Sequence, residues 1–228
     1  MTKPSHRKLK PIHFLHNPTP QQLAESVEEF IAQLGGPTLI VVDGEDRSRV
    51  RALATLLHGN EPSGVKALHR WLRSGRRPRV TIICLLASVQ AALHEPLFQH
   101  RMIPGQRDMN RCFNPPYADH QGRIAAQFLE ILQHYQPECL IDIHNTSGMS
   151  PAFGVAVQLN PAHEALVQLF THRLIITDLR LGALMEIADA ALPVVTIECG
   201  GATQPESDQT AQQGLEQYVF VDDLWRVP

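Results

Sequence analysis

An α/β fold, with a mixed, largely parallel central sheet and helices on both faces, is predicted by three features of this 228-residue sequence. Short apolar runs alternate with amphipathic stretches along the chain. The runs are apolar throughout rather than at every second residue, as expected of strands buried on both faces. Turn-forming residues separate them.

The first 20 residues hold four prolines and few apolar side chains, which predicts an irregular lead-in (1–20) before one domain spanning 21–228. From Thr19 or Pro20 onward, Leu23, Val27, Phe30, Ile31 and Leu34 recur at helical spacing until Gly35-Gly36 stops the run. Residues 38–42 and 50–57 read as strands, and Asp43-Gly44-Glu45-Asp46 between them as a turn able to close a hairpin. Residues 62–72 are helical, with Val65, Leu68, Trp71 and Leu72 inward, and 80–86 form the next strand. Residues 94–119 contain Ile103-Pro104-Gly105 and Asn114-Pro115-Pro116 and read as a long irregular loop, a length more often functional than not. Beyond it come a helix (122–135), strands (139–144 and 152–158), a helix (162–170) and a short strand near 174–177. A final strand (193–197) runs into Glu198, and a helix covers about 207–218.

Hydrophobic residues at 43% and charged residues at 19% describe an ordinary globule, and the length suits one large α/β unit. A net charge of −3 supplies no cation excess for phosphates, and the basic stretch from Arg70 to Arg79 is interrupted by Trp71, Leu72 and Pro78, so it reads as a solvated helix end rather than a nucleic-acid surface. Cys84, Cys112, Cys139 and Cys199 form no C-x-x-C pair, which fits a reducing compartment. No apolar stretch nears the roughly 18 residues needed to span a bilayer, and residues 1–10 lack the apolar core of a secretion signal. The expectation is a cytoplasmic protein with no membrane or nucleic-acid partner.

His58 and Glu61 follow directly on the apolar run 50–57, and His144 ends the run 139–143. Neighbouring strands of an α/β sheet deliver their ends to one edge, so two imidazoles and a carboxylate can converge there. Three N/O ligands with a position left for water make a catalytic zinc site, since a structural one would be closed by thiolates. Each residue also has a plainer reading: Glu61 as the cap of the following helix, His144 as a satisfied core histidine. Arg107-Asp108-Met109-Asn110-Arg111 lies in the long loop, where it is either a solvated charged segment or a grip for a substrate carboxylate. Asp108 is placed to receive the outer N–H of a ligand histidine. Glu198 ends an uncharged strand before Gly200-Gly201, and reads as a surface glutamate or as the carboxylate that moves protons to and from a reacting water.

Taken together, His58-Gly59-Asn60-Glu61-Pro62-Ser63-Gly64, Asp108-Met109-Asn110-Arg111, Ile141-Asp142-Ile143-His144-Asn145-Thr146 and Ile197-Glu198-Cys199-Gly200 resemble, in order and placement, the succinylglutamate desuccinylase/aspartoacylase family of the zinc carboxypeptidase clan. The resemblance runs from about 38 to 220. It implies a zinc carboxypeptidase-like fold, one zinc ion held by His58, Glu61 and His144, and Glu198 activating the water. It also implies Asn110 and Arg111 as the substrate-carboxylate clamp, Asp108 as partner of the first histidine, and a small carboxylate-bearing substrate whose amide is hydrolysed. A metallocarboxypeptidase acting on peptides or cell-wall fragments, and a catalytically silent relative, are the competing expectations.

Two departures accompany the resemblance. The family's carbonyl-polarising arginine stands eight residues before the clamp arginine, where this chain has Ile103; Arg101, given a two-residue insertion, or Arg107 takes its place. Where family enzymes can carry a further substrate arginine, this chain has Glu186, Ala188 and Asp189. The family's smaller C-terminal β-rich domain is expected to be missing from this chain.

Overall fold

The computed structural model describes residues 11–226. Eight strands pair into one sheet: β1 (His13–His16), β2 (Thr38–Val42), β3 (Asp46–Thr55), β4 (Val80–Leu86), β5 (Leu140–Thr146), β6 (Phe153–Ala156), β7 (Leu174–Ile176) and β8 (Val194–Gly201). Their spatial order is β1-β2-β4-β3-β5-β8-β6-β7. Only the β2–β4 and β6–β8 pairings are antiparallel. The sheet is therefore mixed and mostly parallel, as the apolar runs predict. Among the described residues, no helix is long and apolar enough to cross a membrane.

Alternation along the strands divides the core into two layers. In β4, Ile82, Cys84 and Leu86 face one layer, with Phe30 and Ile31 of α2 (Val27–Leu34), Leu68 of α3 (Ser63–Arg73), Leu166 of α6 (Pro161–Gln168) and Leu215 of α7 (Pro205–Phe220). Ile83 and Leu85 face the other, with Ile124, Phe128 and Ile131 of α5 (His120–Tyr135). Helices thus cover both faces, and each fully buried Leu, Ile or Phe contributes about 1.5–3 kcal/mol. Leu140 and Val194 point to the α5 layer, so period two puts Asp142 and His144 of β5, and Thr196 and Glu198 of β8, on that same face. The register sets His144 directly beside Glu198.

Several elements differ from the expectation. Residues 1–10 of the lead-in lie outside the described residues, and His13–His16 is a strand, paired in parallel with β2 at the sheet edge. The first helix is two, α1 (Pro20–Leu23) and α2. Ala24 turns to φ +52°, and Ser26 with Glu29 forms a capping box that starts α2 afresh. β2 and β3 do not form a hairpin, because β4 lies between them. The connection of residues 43–45 crosses β4, where a Cβ on Gly44 would come within 2.2 Å of the Val80 backbone. A short helix, α4 (Val89–Leu93), precedes the long loop, and a 3-10 turn (Met109–Arg111) lies inside it.

Candidate active site

The parallel strands β3, β5 and β8 bring His58, His144 and Glu198 to one edge. Beyond Thr55 the chain turns through Leu56 in the left-handed region, φ +56° and fully buried, a conformation that costs a non-glycine residue about 1–2 kcal/mol. The surroundings hold it: Ser88 donates its N–H to the Leu56 carbonyl and its hydroxyl to the Leu57 carbonyl, each at 2.7 Å. At Gly59 a Cβ would sit 2.5 Å from Ala92 N and 2.6 Å from the His100 carbonyl. The absence of a side chain lets the 92–101 segment close in, and Gly59 N–H donates to the Arg101 carbonyl at 2.9 Å. That contact sets Arg101 beside His58.

Glu61 lies between the two histidines. Its Oε1 is 2.8 Å from His58 Nδ1 and its Oε2 is 2.6 Å from His144 Nδ1. A third contact comes from Asn145, whose backbone N–H donates to Oε2 at 3.3 Å. The outer ring nitrogens meet carboxylates too: His58 Nε2 is 3.0 Å from Asp108 Oδ1, and His144 Nε2 is 2.6 Å from Asp142 Oδ2. Both Nδ1 atoms are thereby turned toward the Glu61 carboxylate. One ligand atom from each of His58, Glu61 and His144 lies within 4.8 Å of the others, and all three residues are buried.

This donor set fits a metal ion. Glu61, Asp108, Asp142 and Glu198 are four carboxyl groups, and among the described residues the one permanent cation touching the cluster is Arg101. Asp142 Oδ1 and Glu198 Oε2 are buried without a hydrogen-bond partner among the described residues, a deficit of positive charge that a divalent cation offsets. The titration behaviour agrees. Burial pushes the Glu61 carboxyl up, but the His144 and His58 rings outweigh it and hold it at about 2. Burial likewise opposes ionisation of Asp108, yet His58 and Arg101 keep its carboxyl well below the usual range. Burial disfavours the His144 imidazolium, whereas Asp142 and Glu61 raise its pKa well above the ordinary value. Glu198 is shifted upward by burial, against a downward pull from His144, with Glu61 and Asp142 adding to the rise.

Around this cluster opens a cleft of about 460 Å³. Arg101 lines it, donating from Nε and Nη2 to Asp108 Oδ2 at 3.0 and 2.9 Å and from Nη1 to Glu61 Oε1 at 3.4 Å. Arg107 is not brought to the cluster. It is held by Asp119, the N-cap of α5, and by the Pro116 carbonyl, outside the cleft. Asp108 caps the Met109–Arg111 turn through Asn110 N–H at 2.9 Å. Asn110 is buried; its Oδ1 accepts Leu184 N–H at 2.8 Å, and its Nδ2 lies 3.5 Å from His144 Nε2. Arg111 lines the cleft and has no carboxylate partner among the described residues.

The model of the succinylglutamate desuccinylase/aspartoacylase catalytic domain matches residues 50–219, about three quarters of the chain. The chain belongs to this family. Solved structures of similar fold include the product-bound ectoine utilization protein EutE (DoeB) from Ruegeria pomeroyi, at 21% identity and TM-score 0.63, over 78% of this chain and 58% of that one. Succinylglutamate desuccinylase from Chromobacterium violaceum is 16% identical with TM-score 0.62, over 75% of this chain and 63% of that one. Its counterpart from Vibrio cholerae is 13% identical with TM-score 0.68, over 90% and 73%. At these identities the likeness establishes the fold, and the chain spans less than two thirds of the first two proteins. No sequence among curated proteins matches it.

Two members of the site in this family chain were not singled out from the sequence. Asp142 is visible in hindsight as the one charge inside Leu140-Ile141-Asp142-Ile143, fully buried. Asn145 accepts Ser63 N–H at 3.1 Å and donates to Ser63 Oγ and the Gly200 carbonyl at 2.9 and 3.0 Å. It ties α3, β5 and β8 together behind the ligands, and its signal is its place directly after His144 in the motif Ile141-Asp142-Ile143-His144-Asn145-Thr146.

Proposed function

We propose that this protein is a zinc-dependent amidohydrolase that cleaves the amide of a carboxylate-bearing N-acyl amino acid. The observation that carries the reading is the convergence of His58, Glu61 and His144, with Glu198 paired beside His144 across β5 and β8. His58, Glu61 and His144 would hold the ion through two nitrogens and a carboxylate oxygen, a set that suits zinc. Bound there, zinc supplies a Lewis acid for the scissile carbonyl and lowers the pKa of water toward about 7.

The chain's own residues do the rest. Glu198 accepts a proton from the attacking water as the oxygen–carbon bond forms, then delivers it to the nitrogen as the carbon–nitrogen bond breaks, leaving a carboxylate and an amine. Arg101 has two nitrogens fixed on Asp108, and its Nη1, which reaches Glu61 Oε1 at 3.4 Å, carries a second N–H for charge developing on the carbonyl oxygen. Arg111 and Asn110 hold the substrate carboxylate, with Asn110 anchored through its Oδ1 on the Leu184 N–H. Four buried free cysteines fit a reducing, cytoplasmic setting.

The test is hydrolysis of a panel of N-acyl amino acids beside short peptides, with and without a zinc chelator. Chelator-sensitive release of amino acid from the N-acyl compounds is expected. Preferential cleavage of peptides would assign the same machinery to a metallocarboxypeptidase instead.

A further inference from the structure

Resting on the amidohydrolase reading, the cleft also discriminates between substrates. We propose that its wall on β6, β7 and the loop after β7 is an apolar subsite, so that the substrate carries one carboxylate and an apolar acyl group rather than a second carboxylate.

The register builds this wall. Phe153 pairs with Glu198, Val155 with Thr196, and Val155 again with Ile175, so Phe153, Val155 and Ile175 share the sheet face that carries Glu198. Leu179 and Leu181 extend the surface along the cleft mouth. Ile175, Leu179 and Leu181 are 48%, 61% and 51% exposed, an apolar surface continuous with the reacting groups and large enough for a short acyl chain to cover.

Charge argues in the same direction. Of the two arginines lining the cleft, Arg101 is bound to Asp108 and Glu61, which leaves Arg111 as the cation without a carboxylate partner among the described residues. One free guanidinium matches one carboxylate. On the far wall Glu186 lines the cleft, fixed by the N–H groups of Leu181, Gly182 and Ala183 at 2.6, 3.1 and 2.9 Å. Burial pushes its carboxyl up, and these three donors, with Arg180 of the same loop, outweigh it and lower the pKa. A second substrate carboxylate would meet that like charge and a largely apolar surface, with no arginine or lysine among the residues lining that wall to replace its water.

The experiment compares N-acetyl-, N-butanoyl-, N-hexanoyl- and N-succinyl-alanine as substrates of the zinc-loaded enzyme, and as ligands of the Glu198→Gln variant by calorimetry. Each buried methylene is worth about 0.8 kcal/mol, about fourfold. Butanoyl, with two more methylenes, should therefore exceed acetyl by roughly fifteenfold, and hexanoyl should exceed succinyl by more. Leu179→Asp should erase this preference, and Leu181→Arg should shift it toward succinyl. Succinyl equal to or better than hexanoyl overturns the proposal. So does an acyl preference unchanged in Leu179→Asp, including the case in which that variant instead abolishes concentration-dependent self-association, because the surface would then be covered by a second copy. If no compound is hydrolysed, the calorimetric order still decides: hexanoyl binding tighter than succinyl supports the subsite while the hydrolase reading fails, and equal or absent binding overturns it.

Discussion

Replacing Asp142 by Asn probes the metal group without touching a ligand. Asp142 is fully buried on β5, and its Oδ2 lies 2.6 Å from His144 Nε2. The carboxylate orients the ring so that Nδ1 meets Glu61, and it raises the basicity of that ligand nitrogen. Loss of such a partner typically weakens metal binding 10–100-fold, about 1.4–2.7 kcal/mol. A second effect opposes it. In the metal-free protein Asp142 and Glu61 hold the His144 pKa well above its ordinary value against burial, so the native protein must expel a proton from His144 to bind metal. Asp142→Asn lowers that pKa and removes part of the proton cost. Chelator-competition titrations of zinc affinity at about pH 9 and about pH 6 separate the two effects. The full loss is expected at the higher pH, where His144 is closer to giving up its proton, and a smaller gap at the lower pH. Equal affinities at high pH, or a gap that widens on acidification, would refute the reasoning.

Three further expectations concern the reacting groups and the core. Glu198→Gln should lower kcat by about 10²–10⁴-fold with bound zinc retained, read by steady-state kinetics together with elemental analysis; near-native turnover would remove Glu198 from the mechanism. Arg101→Ala should cost about 10²–10³-fold in kcat, whereas Arg107→Ala should keep kcat/KM within about threefold and lower stability by less than about 1 kcal/mol through loss of the Asp119 pair. The reverse ranking would reinstate Arg107. Finally, His163 in α6 is buried with Nε2 unpartnered among the described residues, and burial depresses its pKa below the ordinary 6.5. The unfolded chain then binds the proton more readily than the native one, so this stability is complete above pH 6.5 and is lost as pH falls toward the depressed value. His163→Leu should flatten the fall in Tm between about pH 7.5 and pH 5.5, and an unchanged slope would show that His163 carries none of it.

The interior strands were legible because burial on both faces leaves an uninterrupted apolar run, as in Val80–Leu86. β1 was not, since three of its four residues are exposed at the sheet edge and carry no such pattern. The hairpin expected between β2 and β3 failed for a topological reason. A three-residue connection suits both adjacent strands and a crossing over one intervening strand, and nothing in Asp43-Gly44-Glu45 says that β4 will insert. The split between α1 and α2 was encoded in Ser26-Val27-Glu28-Glu29, a start signal masked by continuing apolar spacing. At the site, His58, Glu61 and His144 could be found because strand ends converge by rule. The choice between Arg101 and Arg107 could not, because a loop has no period. It depends on the close approach at Gly59 and on Asp119 capturing Arg107, both tertiary contacts.

The most direct measurement is the metal stoichiometry of the purified protein and of His144→Ala, with hydrolysis of an N-acyl amino acid followed in the same samples. One zinc per chain with chelator-sensitive hydrolysis is predicted for the native protein, with both lost in the variant. A native protein that takes up no zinc, or a His144→Ala variant that keeps both the ion and the activity, would contradict the account.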